Sequence, residues 1–321
     1  MSLLEKATLI TTPTAHSNGT LHSIKGGAVA DFDVVRGSAA TRVNAEGLIE
    51  DIATNIPRID YTDGTASILL EPQSTNLIVN SELNNVENIV VSAVSHTISF
   101  YGTGSITLSG THAATLSGTG ANDRVTLTFT PSAGTLICTD SGSVDKKQVE
   151  ALSYSTSYIP TSGAIATRLE DKVSGAGDAT TFNSTEGVLY VEAAALETGR
   201  ITISDGTLTN RITINVSTND SSISGFVNVN NATQYDFYES VQSVFNYNKI
   251  AVKYKENDFS FFINGTKYDV DTSGSTFAAN TLTSLSFNNG VSGSNFTGKV
   301  KDLRTYNTAL TDAELTELTT I

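Results

Sequence analysis

Short alternating runs, cut again and again by glycine and asparagine, constrain this chain more than any other feature. Val125, Leu127 and Phe129 alternate with Thr126, Thr128 and Thr130, the period-2 pattern of a strand with one buried face. Ile98 and Phe100 lead into Gly102, and Ile106 and Leu108 end at Gly110. In 211–217 the residues Ile212, Ile214 and Val216 share a face. In 249–255 Ile250, Val252 and Tyr254 do the same, with Lys249, Lys253 and Lys255 opposite them. Asn264-Gly265 sits between two alternating runs, 258–263 and 266–271, and predicts a hairpin because a type I′ turn needs positive φ at both central residues. The pattern predicts an all-β protein with two antiparallel β-sandwiches. One helix is expected, over 311–319, where Thr311 and Glu314 form a capping box and Leu310, Leu315 and Leu318 supply the apolar stripe.

Texture along the chain sets the expected domains. Residues 1–80 read as a leader or attachment region, with little helix period and with Pro13, Pro57 and Pro72 interrupting short apolar pieces. They suit extended segments lying against something larger, whether the chain's own β domain or a neighbouring chain. Residues 81–165 read as a small sandwich, 166–181 as a linker rich in Ser, Gly, Ala and Thr, and 182–321 as a second sandwich. Within 296–306 the alternation fails after Val300, which predicts a bulge or an edge.

Charge removes several functions. Lys plus Arg number 19 and Asp plus Glu 33, so the net charge is −14, against the basic footprint of a nucleic-acid binder and against attachment to an anionic membrane. No apolar run approaches the ~18 residues a spanning helix needs, so membrane insertion is not expected. Glu5 and Lys6 interrupt the first apolar stretch, so no secretory signal is expected either. The single cysteine, Cys138, excludes a disulfide framework within the chain and reads as a small buried hydrophobe in a strand.

Catalytic constellations are weak. Glycoside hydrolysis needs two carboxyl groups about 5–5.5 or 6.5–9.5 Å apart, which on one strand means i and i+2 spacing. Glu192 lacks an acidic partner at that spacing and reads as a solvated or salt-bridged strand residue. Asp31 and Asp33 have the spacing, but Arg36 and Arg42 nearby are expected to pair with them and pin the leader. Asp269 and Asp271 repeat it after the hairpin; they are the candidate Ca²⁺ ligands, with a solvated loop as the plainer reading. Otherwise no cofactor is expected. His16, His22, His96 and His112 accompany no Gly-x-Ser-x-Gly elbow, and His16 and His22 flank an expected turn at Asn18-Gly19.

Four stretches occur in a telling order: ADFDVVRGSAATRVNAEGLIEDI at 30–52, NIPRIDY at 55–61, ILLEPQSTNLI at 68–78 and SYIPTSGAIATR at 157–168. They resemble a family of virion proteins of tailed phages, found in tail fibres, head fibres and other structural proteins. In that family the Glu-Pro-Gln piece enters a carbohydrate-binding-module-like sandwich and the Ser-Tyr-Ile-Pro-Thr piece leaves it. The C-terminal half, with YNKIAVKYKENDFSFFING at 247–265 and FTGKVKDLRTYNTALTDAELTEL at 296–318, resembles a concanavalin A-like, laminin-G-like jelly roll. The resemblance implies a non-enzymatic virion surface protein, a tail or head fibre or spike, that displays lectin-like domains for host-surface glycan attachment. It implies other virion proteins as partners, a homo-oligomer, commonly a homotrimer, and location on the virion surface. The alternatives it leaves are a capsid decoration protein without a receptor role and a polysaccharide depolymerase. The stretch between Leu77 and Tyr158 is short for the family, and the chain has no Trp; Phe261 and Phe262 stand where relatives place one before the hairpin. Glycan stacking would then fall to the cluster Tyr235, Phe237 and Tyr238, for which core and edge packing is the plainer alternative.

Overall fold

The computed structural model describes residues 2–17 and 19–321, and Asn18 of the expected Asn18-Gly19 turn lies outside them. The protein is all-β, with antiparallel sandwich sheets and a short C-terminal helix. Two compact units form, one from residues 1–35, 55–71 and 171–321 and the other from 36–54 and 72–170.

The larger unit packs an eleven-stranded sheet against a five-stranded one. At the centre of the large sheet Glu186–Glu197 lies between Asn248–Lys255 and Thr297–Tyr306. The expected hairpin forms from Phe259–Ile263 and Thr266–Asp271, with Asn264 at φ 50° and Gly265 at φ 82°. The failed alternation after Val300 is a bulge in a central strand: Glu192 pairs with Asp302 and Ala193 with Val300, leaving Lys301 over. Leu189, Val191, Ile250, Val252, Phe259 and Phe261 face Ile201, Ile212, Ile214, Ile223, Tyr235 and Phe237 in one core. Asp312–Thr319 is the expected helix, and Thr311 is its N-cap. It lays Leu315 and Leu318, with Leu310 before it, on the other face of the large sheet, over Val188, Tyr190, Ala251 and Phe262.

The leader expected at 1–80 is shared out between the units. Ala7–Ser17 pairs with Thr297–Tyr306 on one side and Thr20–Lys25 on the other, and Ser67–Leu70 also joins the large sheet. An extended segment must pair its backbone N–H and C=O groups somewhere, and here this chain's own central strand supplies the ladder. The expected linker 166–181 is likewise built in: Ala166–Arg168 pairs with Ser74–Asn76 in the smaller unit, and Lys172–Ser174 with Phe32–Val35 in the larger. Inside the larger unit Arg58 Nη1 donates to Glu71 Oε2 at 2.6 Å, Arg58 also pairs with Asp171, and all three residues are buried. Arg42 pairs not with Asp31 or Asp33 but with Glu50 at 2.5 Å, its neighbour across the Ala40–Val43 and Ile49–Ile52 ladder. Asp31 instead accepts from the Ser23 N–H at 2.8 Å and lies 2.7 Å from His22 Nδ1.

The smaller unit has a three-stranded sheet centred on His96–Gly102 and a four-stranded sheet containing Ser105–Gly110 and Gly134–Ser141. Ile98, Phe100, Ile106, Leu108, Leu136 and Val149 fill its core. Cys138 is fully buried there, and burial pushes its thiol up to about 12, which keeps it a small hydrophobe. Asn76, from the 68–78 stretch, is also fully buried. Its Nδ2 donates to the Lys147 and Ile159 carbonyls and its Oδ1 accepts from the Ile78 and Val149 N–H groups, so one amide binds the entry and exit of the sandwich together.

Candidate functional site

Period-2 geometry divides the expected aromatic cluster. Along Ala232–Ser240 successive side chains point to opposite faces. Tyr235 and Phe237 therefore enter the core, 2 % and 4 % exposed, where Phe237 packs on Phe261 with ring centroids 4.1 Å apart. Burial, and then the neighbouring Asp269 and Asp271 carboxylates, push the Tyr235 phenol above its ordinary value. Tyr235 and Phe237 thus offer no ring to a sugar. Tyr238, 58 % exposed, points to the outer face of the five-stranded sheet.

That face is an ordered polar surface. Tyr238 lies opposite Ser224, Ser224 opposite Asn215, and Asn215 opposite Arg200, one row across four strands. Arg200 Nε donates to Asn215 Oδ1 at 3.3 Å, and Asn215 Nδ2 donates to Ser224 Oγ at 3.2 Å. The Tyr238 hydroxyl donates to Asp220 Oδ2 at 3.3 Å, which holds the ring at the end of the row. In the adjacent row Phe226 lies opposite Thr213, half-buried, with the Arg211 guanidinium 4.7 Å above its ring centroid. Arg211 Nη1 also donates to the Asn289 carbonyl at 3.0 Å, while its Nε is buried without a hydrogen-bond partner. Burial, and next the charge of Arg200, push the Arg211 guanidinium below its ordinary value.

A loop over 288–295 forms one rim. It lies on the sheet because Gly290, at φ 95°, has no side chain: a Cβ there would come within 3.0 Å of the Ser204 side chain. The contact buries Thr202 and Ser204, although both sit on the outer face. Ser204 Oγ donates to the Gly290 carbonyl at 3.0 Å and fixes the loop.

Residues 189–316 match the Concanavalin A-like lectin/glucanases superfamily. They form a concanavalin A-like domain. Among solved structures the chain is similar to the CBM40 of Ruminococcus gnavus IT-sialidase bound to α2,3 sialyllactose, with 16 % identity, 44 % of this chain and 86 % of that one covered, and a TM-score of 0.38. It is also similar to domain 4 of AbnA, a GH43 extracellular arabinanase from Geobacillus stearothermophilus, in complex with arabinotriose (14 % identity, 52 % and 82 % covered, TM-score 0.37). A third similar structure is the leech intramolecular trans-sialidase (16 % identity, 43 % and 24 % covered, TM-score 0.36). No curated protein matches the chain.

Other places in the concanavalin A-like domain offer less. A cleft of about 480 Å³ is lined by Thr185, Glu186, Lys255, Glu256 and 275–278, but its one aromatic, Phe277, is buried. Asp269 and Asp271 lie on the hairpin strand opposite Phe261 and Phe259. Asp271 Oδ1 accepts from both the N–H and the hydroxyl of Ser273, bonds that lower its pKa. Among the described residues no group of three His, Cys, Asp or Glu gathers to hold a metal, so the two aspartates stand without the third carboxylate a Ca²⁺ cage would recruit.

The sheet also brings together carboxylates that lie far apart in sequence. Glu192 stands opposite Asp302, and burial pushes the Asp302 carboxyl above its ordinary value. Both Asp302 oxygens are held by the Arg304 guanidinium, which keeps that group an ion-pair partner. The smaller unit has its own cleft of about 230 Å³, lined by Ala39, Ala40, Asp51, Tyr158, Pro160 and Arg168 among others, again with its aromatic ring buried.

The sequence reading missed Arg200, Arg211, Asn215, Ser224 and Phe226. The signal was present. In 211–217 and 222–229 the residues alternating with the buried aliphatics are Arg, Thr, Asn, Ser and Phe, too varied to be mere solvent filler.

Proposed function

We propose that this chain is a non-enzymatic virion surface protein of a tailed phage, a tail or head fibre or spike, whose concanavalin A-like domain attaches to a host-surface glycan. The observation that carries the glycan part is the open outer face of the five-stranded sheet, where Tyr238 stands exposed at the end of the Ser224–Asn215–Arg200 row. A ring with an apolar face and a polar tip, beside amide and hydroxyl groups, suits a sugar's mixed faces. The virion part is supported by the four ordered stretches between residues 30 and 168. Within this reading the chain acts as a homo-oligomer, a trimer, on other virion proteins at the virion surface. It needs no metal, and the arginine-clamped Asp302 supports a binding role over hydrolysis.

The glycan part is tested by applying the full chain and its Tyr238→Ala variant to a glycan array. Binding by the parent and its loss in the variant support the reading; an array silent for both overturns it. The virion part is tested by immunogold electron microscopy of phage particles with antibody to residues 182–321. Gold at the tail tip supports host attachment, and gold over the head moves the protein to a head fibre or capsid decoration. Particles without gold overturn the virion assignment. A trimer mass in light scattering is expected, and a monomer would count against the fibre.

A further inference from the structure

Two arginines stand on the open face without a carboxylate. The chain carries 33 acidic residues against 19 basic ones, so an unpaired arginine is not for want of partners. Lys6, Arg42, Arg58, Lys147, Lys253, Lys299 and Arg304 all have one. Among the described residues Arg200 and Arg211 are ion-paired to nothing, and both are half-buried. Two like charges on neighbouring strands, partly desolvated, work against the fold unless something compensates them. Phe226 supplies part of that compensation to Arg211, through its ring face.

Their placement is definite. Arg200 reaches Asn215, and Arg211 lies over Phe226, which is opposite Thr213; positions 213 and 215 are separated by two residues of strand, roughly 7 Å. Each guanidinium has five N–H donors, and one on each is spent on a protein oxygen. Neither carboxylate of this face pairs with them: Asp220, in the turn after Arg211–Ser217, holds the Tyr238 hydroxyl, and Asp236 is exposed on the outermost strand, opposite Phe226. The face thus carries its two arginines on Gly199–Ser204 and Arg211–Ser217 and its exposed tyrosine on Ala232–Ser240.

We infer that this face binds an acidic saccharide, with the anionic substituent of one sugar on Arg200 and Arg211 and a neighbouring ring against Tyr238. The inference rests on the glycan-binding reading and names its ligand class. A carboxylate, as in a hexuronic acid, and a phosphate ester present the same oxygen chemistry to a guanidinium fork.

The test is titration calorimetry of the full chain with tetragalacturonate, with its neutral methyl ester, with mannose 6-phosphate and with mannose. The expected result is binding of at least one anionic probe about tenfold or more tighter than its neutral counterpart, with affinity falling as salt is raised. Preference for tetragalacturonate alone identifies the carboxylate source, and preference for mannose 6-phosphate alone the phosphate source. Arg200→Gln is expected to remove that preference without lowering the melting temperature, because the Arg200 side chain makes one hydrogen bond, to Asn215, and its loss relieves the repulsion of Arg211. Arg200→Lys keeps the charge without the fork and is expected to retain part of it. Equal affinity for charged and neutral probes, untouched by Arg200→Gln, overturns the acidic ligand while the glycan-binding reading stands. Binding of none of the four by a chain that binds neutral glycans on the array overturns the inference alone. Silence in both experiments overturns inference and reading together.

Discussion

On the outer face of the eleven-stranded sheet, Val188, Tyr190, Ala251 and Phe262 make an apolar patch, and the helix Asp312–Thr319 closes it with Leu315 and Leu318. On the outer face of the five-stranded sheet, Arg200, Asn215, Ser224 and Tyr238 form a polar row that no helix among the described residues covers. The two sheets share one core, so the difference is not in how they hold together but in what their backs carry. An apolar back must be covered, and the chain spends its C-terminus on that. A back of arginine, amide, hydroxyl and aromatic groups stays stable in water and remains available to a ligand. The covered face should therefore answer to mutation in stability and the open face in binding.

Leu315→Ala attacks the covered face where it is driest, since Leu315 is fully buried. A cost of about 2–5 kcal/mol is expected from the lost contacts and the cavity. Urea unfolding of the full chain measures it. A cost near zero would mean that the helix merely rests on the sheet, and the contrast between the faces would collapse.

Gly290→Ala comes next, because it strikes the rim of the open face through the backbone. The new Cβ would meet Ser204 at 3.0 Å and Thr202 at 3.1 Å from a residue held at φ 95°. A loss of about 1–3 kcal/mol is expected, with the loop lifting off the sheet. Hydrogen exchange at the Arg200 amide, which donates to the Ser294 carbonyl, should quicken. Unchanged exchange would show that the loop is held by something other than its close approach at Gly290.

Tyr238→Ala sharpens the comparison from the other side. Its ring is exposed, so stability should move by no more than about 0.5 kcal/mol. Glycan affinity should fall about tenfold, the scale of one lost stacking contact. Its sequence neighbour Phe237 makes the control: Phe237→Ala removes a buried ring and should cost about 3–5 kcal/mol. If the two variants behaved alike, the split of this strand into a core side and a ligand side would be wrong.

That split shows how far the sequence was legible. Alternation exposed the strands and the Asn264-Gly265 hairpin, and the capping box the helix, because each is written in residues close together. The same alternation forbids Tyr235, Phe237 and Tyr238 from sharing a face, and grouping them by closeness in sequence overrode it. The division of residues 1–80 was hidden for another reason. Ala7–Ser17 finds its partner in Thr297–Tyr306, almost three hundred residues on, and no local pattern announces such a pairing. Glu192 and Asp302 were missed in the same way, since i and i+2 spacing searches one strand and the sheet juxtaposes two. The arginine pair is also a cross-strand fact. Each arginine alone is an ordinary strand residue, and only the register sets Arg200 beside Asn215 and Arg211 over Phe226.

The smallest effect concerns the N-terminus of the covering helix. Glu314 pairs with Lys6 and accepts the Thr311 N–H at 2.9 Å, and these bonds, that with Lys6 first, lower its carboxyl from 4.5 to about 2. A carboxyl held below its unfolded value stabilises the fold fully above about pH 4.5, and the gain drains away as pH falls toward 2. The pair is partly solvated, so the effect is modest and salt should weaken it. Melting temperatures between pH 6 and 2.5 should fall less in Glu314→Gln than in the parent, because the variant has already lost the charge. Tyr238→Ala should follow the parent curve throughout, since the open face takes no part in the cap. Parallel curves for parent and Glu314→Gln would show that the helix is held by its leucines alone, and the covered face would then owe its closure to apolar burial without help from its ends.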